Sequence, residues 1–85
     1  MNLYTIHDQT AGYFMQPFAA RNDGEATRSF SNAINDSRDP NNLLAKHPSQ
    51  FALYRVASYS DETGQVTAEN PITLLGNGSD YVNQQ

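Results

Sequence analysis

Cysteine is absent from this 85-residue sequence, which excludes disulfides, thiolate metal sites and a cysteine nucleophile. Imidazole is scarce: His7 and His47 are the two histidines, far apart and without the close spacing of a local zinc-ligand pair. Basic charge is scarce as well, five Lys and Arg against nine Asp and Glu, for a net charge of −4. Nonspecific nucleic-acid binding rests on phosphate neutralisation by such cations, so the overall field opposes it. Long apolar runs are missing, and no segment reaches the roughly 20 residues that span a bilayer. The start, Met1 to His7, has neither the positive charge nor the apolar stretch of a signal peptide, so a cytoplasmic protein is expected. Leu, Ile, Val and Phe are sparse for a chain that must fold around one small core. Marginal stability follows, and pairing with a second copy or a partner would relieve it; a homodimer is therefore an expectation.

What is present centres on Phe18 to Asn35. An apolar strand end leads through a polar cap into the best amphipathic helix of the chain. Asn22 suits the N-cap, and Glu25 stands three residues later in a capping-box arrangement. Asp23 and Glu25 add negative charge at the positive end of the helix dipole. Ala26, Phe30, Ala33 and Ile34 then recur on one helical face, with Arg28, Ser31, Asn32 and Asn35 on the other. So narrow a stripe covers one face of a sheet.

Strand signals lie on both sides of that helix. Leu3 to His7 and Tyr13 to Met15 read as a hairpin whose turn places Gly12 in the left-handed conformation. Pro17 then marks an edge or an irregular strand. Asp39-Pro40 predicts a short helix with Asp39 as N-cap, running through Leu43, Leu44 and Lys46 and stopping before Pro48. Phe51 to Tyr59 is nearly continuously apolar and predicts a central strand. Asp61 to Gly64 is a turn closing a second hairpin onto Gln65 to Ala68. Asn70-Pro71 is expected to break that strand, leaving Ile72 to Leu75 as a last short segment. Residues 1–75 thus form a single α+β domain, a small antiparallel sheet of four to five strands with one main and one short helix packed on one face. Residues 76–85 are expected to be a mobile tail.

Catalytic chemistry finds little support. No nucleophile elbow surrounds any serine, and the glycines of Leu75-Gly76-Asn77-Gly78 precede neither a Lys-Ser/Thr pair nor a helix. Asp36, Asp39, Asp61 and Glu62 sit in turns, where carboxylates cap backbone groups, and Asp61 to Gly64 is too short for a calcium loop. No metal, cofactor or enzymatic activity is expected. Aromatic stacking does have raw material in Tyr4, Tyr13, Tyr54 and Tyr59 on predicted strands, although strand tyrosines in small sheets are usually half-buried core edges.

In order, Leu3 to Asp8, Pro17 to Asp23, Lys46-His47-Pro48 with Leu53-Tyr54, Asp61 to Gly64, and Leu74-Leu75-Gly76 make the chain resemble the small nonstructural protein of gokushovirus-type microviruses. These are single-stranded DNA bacteriophages. The likeness spans nearly the whole sequence, and the Pro-Phe-x-Ala-Arg-Asn-Asp and Lys-His-Pro segments are its most specific parts. The resemblance implies a protein of the infected bacterial cytoplasm, absent from the mature virion, that assists viral DNA replication or single-strand synthesis and packaging. It carries over no catalytic or binding residues. Two roles are compatible with it. One is an interaction module on the phage replication initiator or a host replication factor, with Leu74, Leu75 and Tyr81 as contact residues. The other is a single-stranded DNA binder using Arg21, Arg28, Lys46, Tyr54, Arg55 and Tyr59.

Overall fold

Phe51–Tyr59, the most apolar run of the chain, forms the strand β4 on which the sheet is assembled. The computed structural model describes residues 1–82. Before β4 come β1 (Asn2–Asp8), β2 (Tyr13–Phe14), β3 (Phe18–Ala20), α1 (Asp23–Asn35) and α2 (Leu43–Lys46); after it comes β5 (Val66–Asn77). Pro48–Gln50 and Gly78–Tyr81 are short helical turns. All strand pairings are antiparallel, in the order β2-β1-β4-β5, and β3 pairs with the other half of β1 on the same side as β2. The α+β class, the five-stranded sheet and the two helices agree with the sequence reading.

Local chemistry sets most boundaries. Asn22 caps α1, its Oδ1 accepting the Glu25 N–H at 2.8 Å. The return half of the cap lands one residue earlier than expected, because Glu25 Oε1 accepts from the Arg21 N–H at 3.2 Å. The hairpin turns place Gly12 at φ 79° and Gly64 at φ 73°, where a Cβ would be strained. Ala26, Phe30 and Ile34 face the sheet and meet Tyr4, Phe51 and Leu53 in a core where Phe30 is 1% exposed and Tyr4 and Leu53 are 0%.

The structure differs from the sequence reading at three places. Asn42, not Asp39, caps α2: its Oδ1 accepts the Leu44 N–H at 3.2 Å. Its Nδ2 donates to the carbonyls of Ala33 (2.9 Å) and Asp36 (2.8 Å), closing the end of α1. Asp39 instead accepts the Asn41 N–H at 2.8 Å in a local turn.

Second, Asn70-Pro71 does not end the strand. β5 runs on to Asn77, and the ladder jumps, with Ala57 opposite Ala68 but Arg55 opposite Thr73. Pro71 lies in that bulge, where its missing N–H interrupts no ladder bond.

Third, the domain does not stop at residue 75. Gly76 and Asn77 complete β5, and Gly78–Tyr81 folds back onto the helix side. Asp80 accepts the Asn77 N–H at 3.0 Å, Asn35 Nδ2 donates to the Tyr81 carbonyl at 2.8 Å, and the Tyr81 ring meets Phe30 edge-on at 5.6 Å. Gly78 is buried against Pro48, where a Cβ would collide with the carbonyl oxygen. Residues 83–85 of the expected tail lie outside the described residues.

Two substitutions test this packing by chemical denaturation. Phe30→Ala is expected to lower stability by about 3–5 kcal/mol, as for other buried aromatic truncations. Gly78→Ala is expected to destabilise through the turn, because its Cβ meets backbone that cannot rotate away.

Candidate interaction face

Side chains alternate across a strand, so the helices cover one face of the sheet and leave the other bare. On the bare face Thr5 and His7 of β1 stand with Phe14 of β2, Tyr54 and Val56 of β4, and Ile72 and Leu74 of β5. The His7 and Phe14 rings stack at 4.2 Å, and Tyr54 meets them edge-on at 6.2 Å and 5.8 Å. Beside this trio lies a shallow recess of about 350 Å³ lined by Thr5, Phe14, Met15, Pro17, Val56 and Ile72. Phe14 and Leu74 stand proud, 48% and 50% exposed. No carboxylate, ammonium or guanidinium belongs to the group.

Charge is gathered on the opposite side. Arg55, next to Tyr54 in sequence, points toward α1. Its Nη1 bonds Asp23 Oδ2 at 2.5 Å and its Nε bonds Glu69 Oε2 at 2.5 Å. Asp23 also accepts from the Tyr4 hydroxyl at 2.8 Å, and Glu69 from Thr73 Oγ1 at 2.7 Å. The network joins β1, α1, β4 and β5. The Arg55 guanidinium, followed by the Thr73 hydroxyl, holds the Glu69 carboxyl below the usual carboxylate range. Arg55 is itself raised, chiefly by its bond to Glu69. Burial pushes the Tyr4 phenol up. Arg38 forms a two-pronged pair with Asp36, 2.9 Å on each arm, that lowers Asp36 to about 2.

The six residues expected to bind nucleic acid are therefore not brought together. Tyr54 lies on the bare face, and Arg55 is behind the sheet. Arg21 is exposed after β3 and lies 3.9 Å from Glu25. Arg28 on α1 and Lys46 on α2 are exposed and make no ion pair among the described residues. Tyr59 is half-buried at the end of β4. The proposed contact trio also divides: Leu74 points outward, whereas Leu75 and Tyr81 pack against the core, the Tyr81 hydroxyl 3.4 Å from the Leu75 carbonyl.

His7, Phe14, Val56 and Ile72 escaped the sequence reading. Their signal was in β4, where an almost unbroken apolar run means that both faces of the strand are apolar. One of them had no helix to cover it.

No helix among the described residues is long and apolar enough to cross a membrane, and no three of their His, Asp or Glu side chains cluster as metal ligands. Among known families, the model described as Phage ORF5 protein matches residues 1–81, a span that ends on the turn at Tyr81. No curated protein and no solved structure matches.

The Arg55 network yields a prediction with a definite sign. A depressed carboxyl contributes stability that is present above its unfolded pKa and lost as pH falls through the folded one. The urea midpoint should therefore fall as pH drops below about 4.5, the ordinary value for Glu69. Glu69→Gln should flatten that acid limb, measured by urea titrations at several pH values between neutral and about 3.

Proposed function

We propose a role that proceeds from one fact: the chain belongs to the Phage ORF5 protein family. In this reading it is a nonstructural accessory protein of a gokushovirus-type microvirus, working in the cytoplasm of the infected bacterium and left out of the mature virion. It makes and breaks no bonds. It assists genome replication, or single-strand synthesis and packaging, by docking onto the phage replication initiator or a host replication factor.

The observation that supports docking to a protein is where the positive charge goes. Of the five cations, Arg38 and Arg55 are bonded to the chain's own carboxylates, and Arg21 lies beside Glu25. Few cations are left to meet a phosphate, and with a net charge of −4 the field that reaches a partner is negative, complementary to a basic protein surface. A second reading, single-stranded DNA lying on the bare face, draws on the His7, Phe14 and Tyr54 rings as a stacking platform. It lacks a Lys or Arg beside those rings.

A tagged copy recovered from infected cells should bring down the initiator or a host replication protein, and salt should weaken that capture. Reversing the exposed hairpin-tip charges with Asp61→Lys and Glu62→Lys should reduce it. An oligonucleotide titration at low and high salt decides between the readings. Negligible binding is expected, whereas salt-sensitive binding lost on Tyr54→Ala would select the DNA reading.

A further inference from the structure

We infer that the bare sheet face is where two copies of this chain meet, face to face about a two-fold axis. This goes beyond the docking role, which concerns the charged surface of the resulting dimer.

The edges of the sheet offer a second copy little. Along β5, Pro71 and the bulge interrupt the outer edge, and Tyr81 lies against Leu75 and Gly76 at its end. The opposite edge is split between the two residues of β2 and the three of β3, with Pro17 between them. Short, Pro-interrupted and bulged edges resist strand addition. Among the described residues, what remains unpartnered is the face.

Charge points to a like partner there. Two copies each carrying −4 repel wherever their carboxylates meet. Among the described residues the bare face has no carboxylate, so contact between copies buries none, and it has no Lys or Arg that would favour a polyanion.

Shape agrees. An isologous contact needs one patch holding both a projection and a hollow, since each feature must meet its counterpart on the other copy. Phe14 and Leu74 project, and the recess between Pro17, Val56 and Ile72 lies beside them. Three strands about 4.8 Å apart with some five residues each, and the two residues of β2, give a footprint of roughly 270 Å² in projection. That is below the about 600–800 Å² per partner that standard interfaces bury, which makes the dimer a weak one. A dimer with a dissociation constant on the order of micromolar is expected.

Sedimentation equilibrium of the full chain across about 1–500 µM reads this directly. The mass is expected to rise from 9.4 kDa toward twice that value. Leu74→Asp and Phe14→Asp should each weaken association at least tenfold while far-UV circular dichroism stays unchanged. Leu43→Asp, equally exposed (53%) but on α2 behind the sheet, should leave it intact. A mass that stays monomeric throughout, or equal weakening by Leu43→Asp, overturns the inference. So does an oligonucleotide that binds a chain whose mass stays monomeric and whose binding is lost with Phe14→Asp, which would assign the face to nucleic acid. Cell pull-downs fail or succeed independently: a dimer that captures no replication protein removes the docking role and keeps the interface.

Discussion

Arg55 is the side chain that joins the elements on which the rest of the arrangement depends. One guanidinium on β4 binds a carboxylate from the first turn of α1 and another from the bulged strand β5. The Asp23 it holds also takes the Tyr4 hydroxyl from β1, so four elements converge on a single half-buried network. Breaking such a network by removing one partner leaves the others without compensation. Because Asp23 begins α1, the network ties the first turn of the helix to the core side of the sheet. The apolar stripe of Ala26, Phe30 and Ile34 then packs the same way.

That choice has two consequences. The one cation of β4 is bonded to the chain's own carboxylates and is not presented to a partner, in a molecule whose net charge is −4. The other face receives no helix, although β4 is as apolar there as on the core side. The closing turn reinforces the asymmetry. Tyr81 returns to Phe30, and Gly78 to Pro48, so the end of the described chain adds its ring to the helix side as well. A small domain thus concentrates its burial in one layer and exposes Phe14 and Leu74 on the other.

Much of this was legible before folding. The Asn22 cap, the Phe30 stripe, the extent of β4 and the left-handed glycines at 12 and 64 are decided by neighbours within a few residues, where capping, period and turn chemistry speak clearly. Asn42 was misjudged because its cap serves two helices at once, through carbonyls at 33 and 36 that only the folded chain brings near. Pro71 suggested a break because a proline removes a ladder bond. Whether the partner strand absorbs that loss in a bulge depends on register. Gly76 to Asp80 had the composition of a tail, and the buried contact of Gly78 with Pro48 is a long-range fact with no local trace.

Periodicity, capping residues and net charge were enough to set the class of the protein, its helices and hairpins, and its acidity, since each is the sum of short-range preferences. Sidedness was not. Tyr54 and Arg55 are consecutive letters, and alternation along a strand guarantees that they part. Which of them meets the helix and which meets solvent is a tertiary matter: Arg55 shares its strand face with Leu53, which packs with Tyr4 beneath α1, and there Asp23 and Glu69 from two other elements meet the guanidinium.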